Sequence, residues 1–123
     1  NNEEKEQMLN STLELAVEKK NSKLQLKICN SLGEYYFKEE DYVKTLNCYV
    51  GTCILVKNIV FSVPVEFRIQ FINSNNMLKY FNILAQVKGN DSKLDGNNHK
   101  KYDCINNENE LIEFFEDLDK IIR

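Results

Sequence analysis

Residues 22–57 read SKLQLKICNSLGEYYFKEEDYVKTLNCYVGTCILVK. In the first half, Leu24, Ile28, Leu32, Tyr35 and Tyr36 recur at steps of three and four, which lines them along one face of a helix. Ser22 and Gln25 have the spacing of a capping box, so the helix is expected to begin there. The face ends at Lys38-Glu-Glu. Asp41 then suits the cap of a further helix carrying Tyr42, Leu46, Tyr49, Val50 and Cys53 to about Lys57. A connection of about three residues makes consecutive helices antiparallel neighbours, so the stretch predicts a helical hairpin.

The same periodicity extends outward. Leu9, Leu13, Ala16 and Val17 predict a helix over 3–20 that ends at two lysines, whose charge suits the negative end of the helix dipole. Ser62 and Pro64 mark a start for a helix bearing Val63, Phe67 and Phe71. It runs into Asn73-Ser-Asn-Asn76, where another begins with Met77, Phe81, Leu84 and Ala85 and stops near Gly89. Asn107 with Glu110 repeats the cap-plus-acid spacing. Behind it Leu111, Phe114, Phe115, Leu118, Ile121 and Ile122 form an apolar stripe that must fold back on other helices to leave water.

Composition agrees. The chain has 123 residues, 42% of them apolar and 28% charged, with four glycines and one proline. That length suits one domain, and so few turn residues cannot supply the closely spaced turns of a sandwich or barrel. The expected fold is all-α over 1–123, as a single helical domain cut from a longer protein. Residues 88–106, polar and rich in asparagine and lysine, are expected to form a flexible insert. The asparagine excess itself is assigned to base composition of the coding sequence.

Catalytic and metal signatures are missing. No glycine-rich phosphate loop, nucleophile elbow or HExxH occurs, and the glycines at 33, 51, 89 and 96 are scattered. Cys29, Cys48, Cys53 and Cys104 contain no CxxC pair, and His99 is alone in a polar stretch, so neither a zinc site nor a histidine base can be assembled. The expectation is a non-enzyme without metal or cofactor. Three cysteines fall in apolar helical patterns, which suits unpaired thiols in a reducing, cytoplasmic setting. The net charge of −3 with dispersed lysines argues against nucleic acid as a partner. The weakly polar stretch Cys53–Val65 is too short to cross a bilayer, so no membrane insertion is expected.

Within Leu26–Lys57, the positions Leu32-Gly33, Tyr36, Asp41-Tyr42 and Tyr49 follow the order and spacing of the tetratricopeptide repeat signature, and the segment resembles one such repeat. The likeness covers about a quarter of the chain. It departs where Cys29 replaces an aromatic, Glu40 a turn glycine, Thr45 and Thr52 small residues, and Lys57 a proline. The resemblance implies that Gly33 lets two helices approach while Tyr36, Tyr42 and Tyr49 fill the space between them. A 34-residue step from Asp41 reaches Asn75 in the cap-rich cluster, which adds to the likeness. It implies antiparallel hairpins stacked as a short right-handed superhelix or bundle, closed by the C-terminal helix, with a groove for a peptide or partner helix.

On that reading the groove face is Lys23, Lys27, Asn30, Glu34 and Lys38, a polar stripe of mixed sign. Glu34 stands where a carboxylate clamp would want an asparagine, which disfavours acidic C-terminal tails as ligands. The expected function is a protein-protein interaction module. The alternative is a structural segment of a larger helical scaffold with no groove ligand.

Overall fold

The computed structural model describes residues 2–89 and 100–123, and these are all-α: α1 (Asn2–Glu18), α2 (Ser22–Lys38), α3 (Tyr42–Ser62), a 3-10 turn (Val65–Phe67), α4 (Arg68–Ser74), α5 (Leu78–Gly89) and α6 (Glu108–Ile122). No strand occurs among the described residues. The chain divides into two compact units, 1–55 and 56–123.

In the first unit α1 and α2 run antiparallel along their whole length. Pairs equally far from the turn meet: Gln25 Nε2 donates to the Ala16 carbonyl, the Tyr36 hydroxyl donates to Glu6 Oε1 at 2.9 Å, and Asn2 Nδ2 donates to Glu39 Oε1. Between them lie Ala16, Ile28, Leu32 and Tyr36, with Leu9, Leu13, Leu24, Tyr35 and Cys48 packed around. Val17, read from the sequence as part of this face, points outward.

The α1–α2 junction differs in detail from the expected capping box. Asn21, not Ser22, is the cap, and its side chain accepts from the Leu24 N–H. Gln25 does not reach back to the cap, because its amide is used on Ala16. The cause is the preceding residue. Lys20 takes a left-handed conformation, φ 55°, and so closes α1 with Asn21 N–H on the Ala16 carbonyl. Glu40, φ 60°, ends α2 in the same way, with Asp41 N–H on the Tyr36 carbonyl. Asp41 then caps α3 through Lys44 N–H.

Gly33 and Tyr49 meet across α2 and α3, and both are buried. They stand seven residues before and nine after Glu40, as an antiparallel hairpin requires. Thr45 and Thr52 are fully buried beside them on α3, their hydroxyls turned back onto the carbonyls of Asp41 and Tyr49. Tyr42 corrects the expectation drawn from the repeat likeness. It is 58% exposed and lies edge-on to Phe37, at the first position of α3.

Helix α3 continues to Ser62, past the expected end near Lys57. Its 21 residues are long and apolar enough to cross a membrane by length and composition alone. That revises the expectation taken from Cys53–Val65, since the apolar character extends back to Tyr42. The helix also buries Cys53 in the first unit and Val56 and Val60 in the second.

The second unit begins with this end of α3. Arg68 closes it, donating to the carbonyls of Val63 and Phe61 and lying 5.1 Å over the Phe61 ring. Pro64 starts the 3-10 turn rather than an α-helix. The tighter turn shifts the phase of α4, so Ile72 is fully buried while Phe67 of the expected face is exposed. Asn75 is the C-cap of α4 and Asn76 is left-handed, φ 52°. Consequently the 34-residue step from Asp41 lands on the end of one helix, and α5 begins at Leu78.

Helix α6 places its stripe as the spacing predicts: Leu111, Phe114, Leu118 and Ile121 are buried, and Phe114 meets Phe81 and Tyr102 edge-on. The Asn107 side chain accepts from Glu110 N–H, while Glu110 Oε2 accepts from Asn106 N–H, a reciprocal cap displaced by one residue. Lys88 of α5 donates to the carbonyls of Ile121 and Arg123 and satisfies the far end of α6.

Part of the expected insert is firmly held. Residues 88 and 89 belong to α5, and the non-helical segment 100–106 buries Tyr102 (4% exposed) and Ile105 (1%). Two asparagines grip its backbone. Asn73 donates to the Ile105 carbonyl at 2.8 Å and accepts from its N–H at 2.9 Å. Asn82 does the same for Tyr102, at 2.7 and 2.9 Å. The Tyr102 hydroxyl donates to Asp117. His99, read as a solvated loop residue, lies outside the described residues.

Candidate functional site

The five stripe residues all sit on α2, spaced so that they share the side away from Ile28 and Leu32. Lys23, Lys27, Glu34 and Lys38 are exposed, and Asn30 is half-buried. Asn30 Nδ2 donates to Glu34 Oε1 at 3.4 Å, whereas Asn30 Oδ1 is shielded from water and has no hydrogen-bond partner. An acceptor so placed costs about 1–3 kcal/mol.

Glu34 also connects this face with α3. Burial, then the negative charge of Glu34, then Cys48 push the Tyr49 hydroxyl up to about 12. Tyr49 therefore stays neutral near pH 7. Cys48 is pushed up to about 11, first by burial and then by Cys29, and burial raises Cys29 as well. Thiols held protonated in this way are poor nucleophiles. None of the four cysteines is in a disulfide among the described residues; Cys53 is buried and Cys104 exposed.

No group of three or more His, Cys, Asp or Glu side chains among the described residues is arranged to hold a metal ion. Three ion pairs are solvent-facing: Lys57–Asp119 at 2.6 Å, Lys100–Glu113 at 3.2 Å and Lys44–Asp41 at 3.9 Å. Such pairs contribute at most about 1 kcal/mol each and shape no reaction site.

Sequence reasoning passed over Asn73 and Asn82 because an asparagine-rich chain dilutes the signal of any one asparagine. Their amides act only through backbone 32 and 20 residues away. The available hint was Tyr102 and Ile105, two large apolar side chains three apart in an otherwise polar stretch. No family model, curated protein or solved structure matches the chain.

Proposed function

We propose that this protein is a non-catalytic interaction module that binds a peptide or a partner helix along α2, through Lys23, Lys27, Asn30, Glu34 and Lys38. The observation that carries this reading is the run of solvent-exposed Lys23, Lys27, Glu34 and Lys38, of mixed charge, along one side of α2. The Gly33–Tyr49 contact supports a tetratricopeptide-like hairpin behind the stripe, because the repeat likeness asks for close approach at that glycine. On this reading α3 is a core helix rather than a membrane span, since it buries Thr45, Tyr49, Thr52 and Cys53 in the first unit and Val56 and Val60 in the second. Cysteines in apolar helical patterns without a disulfide among the described residues suit a reducing, cytoplasmic setting.

A scaffold segment is the second reading, favoured by the exposed Phe61, Val65 and Phe67 near the start of the second unit. The outer face of α6 weighs against it. Apart from Ile112, that face carries Glu108, Glu113, Glu116 and Lys120, a polar surface of the kind that closes a helical array. A pull-down with wild type, Lys27→Glu and Glu34→Lys separates the two. The module reading requires a partner set that changes with either charge reversal, and identical sets for all three proteins would end it.

A further inference from the structure

Where α3 ends, the second unit turns apolar side chains to solvent. Phe61 is 47% exposed, Val65 61%, Phe67 55% and Ile112 57%. They belong to one surface because the end of α3 and α6 lie side by side in a fixed antiparallel register. Lys57 meets Asp119 at 2.6 Å, and one turn further Phe61 stacks on Phe115 with 4.7 Å between centroids. Carried one more turn, that register brings Ile112 to the level of Pro64 and Val65, and Phe67 closes the 3-10 turn that Val65 opens. Scattered apolar side chains on a surface need no explanation, but a contiguous group with a polar rim marks a docking surface. Here the rim is acidic. Glu108 and Glu116 stand one helical turn to either side of Ile112, and Glu66 lies between Val65 and Phe67. All three are exposed, and none is in an ion pair among the described residues. Arg68, beside Phe61, is spent on the carbonyls of Val63 and Phe61, Lys57 is spent on Asp119, and Lys120 comes a turn beyond Glu116.

The charge of the rim selects the occupant. Two copies of the chain set face to face on this surface would crowd two sets of free carboxylates together, and an anionic membrane would repel them. We propose that the surface formed by Phe61, Val65, Phe67 and Ile112 docks a basic amphipathic helix of a partner protein, whose lysines or arginines meet Glu66, Glu108 and Glu116. The apolar face of that helix supplies the affinity, and the carboxylates decide which helix is accepted and how fast it arrives. The site is on the second unit and does not involve α2, so it stands or falls independently of the reading of the α2 stripe.

The probe is a fluorescently labelled helical peptide of leucine and lysine, about five turns long with the leucines on one face, titrated with the full chain by anisotropy. A peptide with glutamate for every lysine is the control. The leucine-lysine peptide should bind at least about tenfold more tightly than the control, and its affinity should fall as salt is raised. Ile112→Ser/Phe67→Ser changes two exposed positions, so it should keep native helical circular dichroism and lose about tenfold in affinity. Glu66→Lys/Glu116→Lys should lose a similar factor and flatten the salt dependence. Amide NMR shifts on adding the peptide should gather at 61–68 and 108–119. No binding, equal affinity for the two peptides, a wild-type affinity in either folded double variant, or shifts gathered elsewhere overturns the proposal. A wild-type dimer in sedimentation that Ile112→Ser/Phe67→Ser dissociates would make a second copy the occupant, and overturns it as well.

Discussion

Gly33 lies against the ring of Tyr49: a Cβ at residue 33 would stand 2.8 Å from Cζ and 3.0 Å from Cε1. Three ring atoms are within 3.2 Å, so the whole ring must move to admit a methyl group.

Gly33→Ala is therefore expected to destabilise by about 1–2 kcal/mol, the cost of overpacking less the helix propensity that alanine gains. Gly51 is the internal control. It is also helical, nothing lies within 4 Å of its added Cβ, and Gly51→Ala should stabilise by about 0.5–1 kcal/mol. Urea unfolding of both variants checks the opposite signs. Pairing Gly33→Ala with Tyr49→Leu should recover about 1 kcal/mol relative to additivity, because the ring that clashes is gone.

Glu40 and Lys20 each hold a left-handed backbone at the end of a helix, φ 60° and 55°. A side chain there costs about 1–2 kcal/mol, and glycine gives back part of that gain through the flexibility of the unfolded chain. Glu40→Gly should raise stability by about 0.5–1 kcal/mol and shift the thermal midpoint upward by a few degrees. A lower midpoint would show that Glu40 makes a contribution in the turn that outweighs its backbone strain.

Removing an asparagine clamp leaves a half-buried backbone N–H and carbonyl without partners. Asn73→Ala and Asn82→Ala should each cost about 1–3 kcal/mol. Asn75, whose amide meets only the Phe71 carbonyl at an exposed helix end, should tolerate alanine within about 0.5 kcal/mol. Chemical denaturation of the three variants separates clamps from ordinary surface asparagines.

The protonated Cys48 thiol is favoured by folding, since its value is raised from 9.0 to about 11. Its contribution is fully present below pH 9. As pH rises further the unfolded chain loses this proton first, so stability falls between about pH 9 and 11. Cys48→Ala should flatten that decline relative to wild type in urea titrations at pH 8, 9, 10 and 11. An unchanged slope would place the decline in other groups, such as the tyrosines.

The helix positions, the α6 stripe and the hairpin at Gly33 and Tyr49 are all legible in the sequence, because each follows from a 3.6-residue period or from neighbours across a short turn. Where the reading failed, one residue's backbone had redirected the next. Lys20 moved the cap to Asn21, and the 3-10 turn after Pro64 exchanged Phe67 for Ile72. The α2 stripe could be named from the sequence, but not the unpartnered oxygen of Asn30, which depends on what shields it.

By itself, then, the sequence determined an all-α chain with six helical segments and the apolar faces of α2 and α6, since those are local properties of spacing and propensity. Tertiary structure decided the rest: that a polar stretch buries Tyr102 and Ile105, and that Asn73 and Asn82 hold it. The reason is physical. A side-chain amide binds any backbone that is brought within about 3 Å, and which backbone that is depends on how α4, α5 and α6 pack, not on any pattern near the asparagine.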